Sequence, residues 1–365
     1  MDKKNTKKFH LRASIICFIV IIIIALIYLY VLPKVLTKNS ENIPTLQTTI
    51  EGEMNDDGSL KLHMISVGQA DSIFIEFPTG NTMLIDASED ETADTVVNYV
   101  KSLGYSSIDY VLLTHQDADH SGGMEAVYEE FDVEYSLRPS CYSKNKNASK
   151  LADNFNIGYS EDGYFKSTSA TYYNYLKAVQ DEGTKWSAFN KDTYLNFCFT
   201  LDEQVYECKL DFLTPTASLD EIKYKEANNF SPIILLEYCE RKILLTGDAE
   251  KEVEQELLDY YVNDNLDVDV LKVGHHGSKT SSTAAFIEKI KPEYSLISCG
   301  YNPDDKKYCP WQVTLDTLTR YESVIYRTDY QGNIVLSVEM DGDLLIDTEN
   351  KEFNDYSKIL SGYSK

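Results

Sequence analysis

The segment Val111-Leu-Leu-Thr-His-Gln-Asp-Ala-Asp-His-Ser-Gly-Gly123 sets the narrowest limits on what this chain can fold into. Its apolar run ends at Thr114, which predicts a buried strand that stops there. The residues that follow place His115, Asp117, Asp119 and His120 in one tight turn, and Gly122-Gly123 leave room for backbone to pass close by. Imidazole and carboxylate are the side chains that bind zinc and harder divalent ions. Four of them within six residues at a strand end predict a metal-binding turn. Such a turn needs a rigid sheet behind it and further ligands from elsewhere in the chain.

Composition bounds what surrounds it. With 365 residues, 43% of them hydrophobic, the chain can bury a sizeable core as one large domain or two ordinary ones. Its formal net charge is −25. Lys3, Lys4, Lys7, Lys8 and Arg12 cluster at the N-terminus, so the remainder is more acidic still. A field of that sign repels long polyanions and counts against tight non-specific binding of nucleic acid. A nucleic-acid substrate would have to be drawn in by metal and local geometry.

Residues 13–32 carry no charge and are long enough to cross a bilayer as a helix. The run has no polar face, unlike a surface helix, and Pro33 to Ser40 offers no small-residue cleavage site. Basic residues before it predict a cytoplasmic N-terminus. The expected organisation is a basic tail at 1–12, a single transmembrane anchor at 13–33, and a linker at 34–58. An extracellular catalytic domain then occupies 59–348 with a variable insertion at 140–204, and a tail closes the chain at 349–365. Beyond Cys17, the cysteines (Cys141, Cys198, Cys208, Cys239, Cys299, Cys309) lack CxxC spacing, which argues against a thiolate zinc site. Most sit in apolar runs, predicting buried free thiols.

Between residues 60 and 85, three short apolar runs separated by turns (60–67, 71–77, 82–85) predict strands of an antiparallel-leaning sheet. Val96, Val97, Val100 and Leu103 have helical spacing, ended by Gly104. A strand at 108–113 leads into the ligand turn, and 123–131 reads as helical. The insertion is least legible: it shows one helix, at 170–180, and aromatics (Tyr159, Tyr164, Tyr172, Tyr173, Tyr175, Trp186) that cap it or line a cleft. Further strands are expected at 206–213, 233–238, 242–245, 268–273, 294–298, 324–327, 333–338 and 343–347. Helices are expected at 249–262, 281–290 and 311–321. Strands followed by strand–helix alternation predict two packed sheets with helices outside.

The chain has six histidines: His10 precedes the span, and His63 lies in the first strand. His115, His120, His275 and His276 all fall at strand ends in glycine-flanked turns, and Asp248 follows a buried strand in Leu245-Thr-Gly-Asp248. Singly, each has an ordinary reading, such as Asp248 capping the helix after it. Together they present ligand-type side chains from three strand ends.

His115-x-Asp117-x-Asp119-His120 resembles the HxHxDH signature of the metallo-β-lactamase superfamily, in an HxDxDH form. Ser66-Val-Gly-Gln69-x-Asp71, Leu84-Ile-Asp86, Asn228-Asn-x-Ser231, Leu245-Thr-Gly-Asp248 and Lys272-Val-Gly-His-His-Gly-Ser278 resemble the hydrolase domain of ComEC-type DNA-uptake proteins. The resemblance spans roughly residues 60–340. It implies an α/β fold, a four-layer αβ/βα sandwich behind the single N-terminal helix, with a mono- or dinuclear site between sheet edges. It also implies that His115 and Asp117 serve one metal, that Asp119, His120 and His276 serve the other, and that Asp248 bridges. Asp86 would orient the ligand turn. His275 would be free to contact a phosphate or protonate a leaving group, although which member of the pair ligates stays open. Asn228, Asn229 and Ser278 are candidate substrate contacts.

Several positions depart from the pattern. Asp117 replaces a histidine, and residues 140–231 contain no histidine to match the ligand many members supply there. Ala70 and Ser88 stand where glycines are usual, and Tyr308-Cys-Pro310 stands where the branch often has Tyr-Gly-His-Pro. The oxygen-rich donor set leans toward manganese or a weakly held second zinc. The expected activity is metal-dependent hydrolysis, with two divalent ions (Zn or Mn), of phosphodiesters in DNA or a cell-wall polymer. Asp119 would both ligate and hold the attacking water. The alternatives are a wall phosphocholine or teichoic-acid esterase, a small ester or lactam hydrolase of the same fold, or an inactive metal-binding or scaffold module.

Overall fold

The computed structural model describes residues 45–152, 155, 166–219, 221–222, 224–300, 309–353 and 356–363. The expected anchor at 13–33 lies outside these residues; among the described residues no helix is long and apolar enough to cross a membrane.

Two eight-stranded sheets form the body. In chain order the strands are β1 (Gln47–Glu51), β2 (Leu60–Met64), β3 (Ile73–Glu76), β4 (Thr82–Ile85), β5 (Ser107–Leu112), β6 (Asp132–Arg138), β7 (Lys185–Ala188) and β8 (Tyr194–Leu201). They continue with β9 (Gln204–Phe212), β10 (Ile234–Tyr238), β11 (Arg241–Leu245), β12 (Val270–Lys272), β13 (Tyr294–Ile297), β14 (Val324–Arg327), β15 (Ile334–Val338) and β16 (Leu344–Thr348). One sheet has the order β16-β15-β2-β3-β4-β5-β6-β7 and the other β1-β8-β9-β10-β11-β12-β13-β14. Each contains an antiparallel run, β2-β3-β4 or β9-β10-β11, followed by three parallel steps. A parallel step requires a crossover, and helices supply it at Ala93–Ser102, Met124–Glu130, Ala170–Glu182, Lys251–Tyr260, Ala284–Ile290 and Gln312–Arg320.

The period-two alternation of strand side chains sorts the core into three layers of contact. Met83 and Ile85 of β4 meet Phe212, Leu236 and Leu245 in a cluster between the sheets, where Phe77 stacks on Phe197. Leu84, on the opposite face of β4, packs with Val96, Val100, Val127 and Leu176 of the first set of helices. Leu244 of β11 packs with Val253, Leu257, Phe286 and Leu318 of the second set. Three interfaces separate four layers, helix–sheet–sheet–helix, as the sequence predicts.

Three expectations need correction. The linker at 34–58 contains β1, which pairs with β8 in parallel; its side chains alternate between exposed and half-buried, as on a sheet edge, so it shows no apolar signature. The insertion at 140–204 is less variable decoration than structure, because it supplies β7 and β8. Tyr172, Tyr173 and Tyr175 are buried in the helix-facing core rather than lining a cleft, while Tyr159 and Tyr164 lie outside the described residues. The tail is docked over part of its length: the buried Arg327 donates from Nη1 to the carbonyls of Ile359 and Ser361, each at 2.9 Å, and Ile359 is buried. The six cysteines beyond Cys17 are free thiols, five of them buried.

In both sheets the chain leaves the parallel strands toward the same edge of the sandwich. Strand ends of an open parallel sheet are where α/β folds place ligands, and here two such rows face one another.

Candidate metal centre

Four strand exits build the site. β4 runs into Asp86, whose φ of 58° is left-handed, a conformation that Asp tolerates better than most residues. The Asp86 carboxylate accepts from the Thr114 amide at 2.8 Å and the Thr114 hydroxyl at 2.7 Å, pinning the exit of β5. The ligand turn then folds back so tightly that a β-carbon at Gly123 would stand 2.1 Å from the Ala87 carbonyl oxygen. β11 runs into Gly247, where a β-carbon would lie 2.9 Å from the Ser231 side chain and 3.2 Å from that of Thr114. Only glycine lets this loop cross between them and deliver Asp248. β12 ends at Lys272 and is followed by the turn Gly274–Gly277, in which both His275 and His276 are left-handed.

The imidazoles are oriented from behind. His120 Nδ1 lies 2.7 Å from Asp86 Oδ2, His276 Nδ1 lies 3.0 Å from the Ser298 carbonyl, and His115 Nδ1 lies 3.2 Å from both the Thr114 and Ser231 hydroxyls. Partners of this kind fix the ring so that Nε2 points the other way. Among the described residues, His115 Nε2, His120 Nε2, His276 Nε2 and Asp248 Oδ1 are buried with no hydrogen-bond partner. Buried polar atoms without partners are costly and rare, and here they converge.

Their spacing says what they are arranged for. Asp248 Oδ2 stands 3.3 Å from His120 Nε2 and 3.5 Å from His276 Nε2, and Asp119 Oδ2 stands 3.5 Å from the same His276 atom. These separations are longer than a good hydrogen bond. They match the roughly 3.4 Å between neighbouring ligands that each bind one tetrahedral ion at about 2.0–2.1 Å. Donor atoms of Asp119, His120, Asp248 and His276 all lie within 4.8 Å of one another. A divalent cation fits this set. A second pair, His115 Nε2 and Asp117 Oδ2, is 3.8 Å apart.

The electrostatics suit a cation as well. Burial penalises Asp248, but the histidines around it, His276 first, outweigh burial and hold its carboxyl well below the usual range. The same balance brings Asp119 down to about 2 through its contact with His276. Burial would lower His120 and His276, yet Asp248 leads the carboxylates that raise both, His276 to about 10. His115 goes the other way, pushed down to about 3 by burial and by the neighbouring His120. Burial and then Asp119 raise Asp117 to about 6. Beneath the cluster Lys272 is fully buried; it forms an ion pair with Asp71 and donates to the Gly247 carbonyl at 2.8 Å.

The structure thus brings together His115, Asp117, Asp119, His120, Asp248 and His276, with Asp86 behind His120. His275 stands beside them, its Nε2 3.8 Å from Asp248 Oδ2. Of the three candidate substrate contacts, Asn229 is buried and accepts from the Glu250 amide, and Ser278 is buried with its hydroxyl on Thr280. Both hold loops rather than face a ligand. Asn228 is half-buried with its amide 3.3 Å from His275 Nδ1. Lys272, Ser231 and the Ser298 carbonyl escape reading from sequence as site residues. Ser231 and Lys272 do fall within the motifs that carry the family resemblance, and the residues themselves signal Lys272 as a lysine near the end of the strand-like segment Val268–Val273. Ser88 is left-handed at φ 62°, which explains why glycine suits that position. Ala70 is not left-handed and is buried, its carbonyl accepting from the Ser298 hydroxyl at 2.7 Å. Tyr308 lies outside the described residues.

Comparison with known proteins agrees with this geometry. The family model of the metallo-beta-lactamase superfamily matches residues 65–139 and 231–301, the two stretches that carry every ligand turn. The ComE operon protein 3 of Bacillus subtilis is 27% identical over 291 residues, covering 75% of this chain and 32% of that protein. The competence protein ComA of Neisseria gonorrhoeae is 24% identical over 267 residues, covering 73% of this chain and 30% of that protein. The recombination protein 2 of Haemophilus influenzae is 31% identical over 142 residues, covering 38% of this chain and 17% of that protein. The chain therefore spans at most about a third of the length of these relatives.

Proposed function

We propose that this chain, which resembles the metallo-β-lactamase superfamily hydrolase domain of ComEC-type competence proteins, is a metal-dependent hydrolase of phosphodiester bonds. The observation that carries the reading is the convergence of buried, unpartnered imidazole nitrogens from both sheets on the Asp248 carboxylate. In this reading Asp119, His120 and His276 hold one divalent ion, His115 and Asp117 hold a second, and Asp248 serves both. When bound, such ions supply Lewis acidity and a nucleophile at neutral pH. The chain's own residues do the rest. Asp86 and Ser298 fix the ring orientations of His120 and His276. Asp119, less buried than its partners, is placed to hold a water for attack while it ligates. Asp117 in place of a nitrogen donor favours manganese, or zinc held less tightly.

The names of two relatives, a competence protein and a recombination protein, support phosphodiesters over lactams. The net charge of −25 favours a short or locally delivered polyanion over long free DNA. It keeps a wall-bound phosphodiester, such as teichoic-acid phosphocholine, as the second reading. We place the domain outside the cell, anchored by residues 13–33.

The test is metal analysis of the purified chain with a panel of chromogenic phosphodiesters, single-stranded DNA, a phosphocholine ester and a lactam. Cleavage of one phosphodiester class that disappears with chelator and falls at least about a hundredfold in Asp119→Ala is the expected outcome. Protein that takes up no divalent metal, or Asp119→Ala with intact hydrolysis, overturns the reading.

A further inference from the structure

We propose that His275 is a ligand of the first metal position, so that the His275–His276 pair divides between the two ions, one imidazole each. The proposal rests on the two-metal reading above. His115 and Asp117 give that position one nitrogen and one carboxylate of its own, and residues 140–231 hold no histidine to add.

Geometry offers His275 to that position. Asp248 Oδ2 is approached by three imidazole nitrogens: His120 Nε2 at 3.3 Å, His276 Nε2 at 3.5 Å and His275 Nε2 at 3.8 Å. The first two share the Asp119 side of the cluster. The His275 ring is turned 71° from that of His276, with centroids 6.0 Å apart, so it reaches the carboxylate from another direction. Its separation from Asp248 equals the 3.8 Å between His115 Nε2 and Asp117 Oδ2.

The other side of the ring is held as a ligating histidine is held. His275 Nδ1 lies 3.1 Å from the Thr280 hydroxyl and 3.4 Å from Glu250 Oε1. Nδ1 also lies 3.3 Å from the Asn228 side-chain amide; in the tautomer protonated at Nδ1, which donates to Glu250 or Thr280, the Nε2 lone pair is free for a metal. The turn is left-handed at both residues: His275 has φ 49° and ψ 50°, and His276 has φ 54° and ψ 20°.

The experiment uses the full chain, stripped of metal and reloaded with Co²⁺ or Mn²⁺. Stoichiometry is read by dialysis and elemental analysis, affinities by competition with a chelator, and ligand field by Co²⁺ absorption. His275→Asn is the variant of choice, because Asn accepts left-handed backbone yet cannot reach as far. Asn228→Ala, which only loosens the ring's surroundings, is the second variant. Wild type is expected to take up two ions. His275→Asn should keep one at wild-type affinity and weaken the other by at least about 10–100-fold, with a changed Co²⁺ spectrum. Asn228→Ala should weaken the same ion by less.

Two ions bound by His275→Asn with unchanged affinity and spectrum overturn the proposal, even if hydrolysis falls, and assign His275 to the leaving group instead. One ion in wild type, indifferent to His275→Asn, overturns it as well. Wild type that binds no ion removes this proposal and the hydrolase reading together. Should His275→Asn fail to fold, an unchanged Asn228→Ala titration overturns the proposal in its place.

Discussion

Lys272→Met tests whether the buried cation under the site is what permits so many carboxylates to gather there. Lys272 and Asp71 have side chains only 1% and 3% exposed and form an ion pair, and Lys272 Nζ is 3.9 Å from Asp248 Oδ1. Two unit charges near 4 Å interact by about 4 kcal/mol at an effective dielectric constant of about 20. Removing one partner of a buried pair is observed to cost about 3–5 kcal/mol. The two estimates agree, so metal-free Lys272→Met should lose about 3–5 kcal/mol, read as a fall in urea midpoint at unchanged m-value. Asp71→Asn in the same chain removes the stranded charge, and the double variant should recover at least about 2 kcal/mol of that loss. Saturating divalent metal should stabilise Lys272→Met more than wild type, because the ion then supplies the missing positive charge. A loss under about 1 kcal/mol, or a double variant no better than the single one, refutes the claim that Lys272 compensates these carboxylates.

Asp86→Asn should weaken metal binding about 10–100-fold with the fold retained, since it loosens the ring of His120 rather than a donor atom; chelator competition checks it. Glu76 is held below its ordinary value of 4.5 mainly by His63 Nε2 at 2.7 Å, with help from the Tyr105 hydroxyl and against burial. A depressed carboxylate adds stability that is fully present above the unfolded value and lost as pH falls through the folded one. Wild-type urea midpoints should therefore drop below about pH 4.5 more steeply than those of Glu76→Gln. Reporter fusions after residue 40 should be active only outside the cytoplasm if residues 13–33 anchor the domain as proposed; cytoplasmic activity refutes that orientation.

Most central strands and the ligand turns were readable because burial on both faces leaves a near-continuous apolar run that ends abruptly in polar residues. Val111–Thr114 and Val268–Val273 are of this kind. β6 and β8 lie inside the sheets but were not among the expected strands, because their buried positions are interrupted by exposed or half-buried ones. Edge strands lack that mark. β1 alternates exposed and half-buried residues, and β7 begins with the exposed Lys185 and the half-buried Trp186, so neither stands out from loop. The supporting contacts are hidden for a different reason. A backbone carbonyl such as that of Ser298 carries no residue identity, and the partner of Lys272 is set by sheet order, which local pattern does not encode.

Sheet order also shows why the ligands fall where they do. No internal repeat is visible in the residues, but the two halves share one plan. Ile85 at the end of β4 pairs with Leu112 at the end of β5, and Leu245 at the end of β11 pairs with Lys272 at the end of β12. Three residues beyond Leu112 stands His115; three residues beyond Lys272 stands His275. The strand before each histidine strand delivers an aspartate, Asp86 in one half and Asp248 in the other. In the first half the short step from Ile85 to Asp86 turns the carboxylate back onto His120 Nδ1. In the second, Thr246-Gly247 carries Asp248 two residues further, among the imidazole Nε2 atoms. The same strand-exit geometry thus yields an orienting carboxylate on one side and a ligand-facing carboxylate on the other. It also makes His275 the positional counterpart of His115, in keeping with the proposal that both serve one ion.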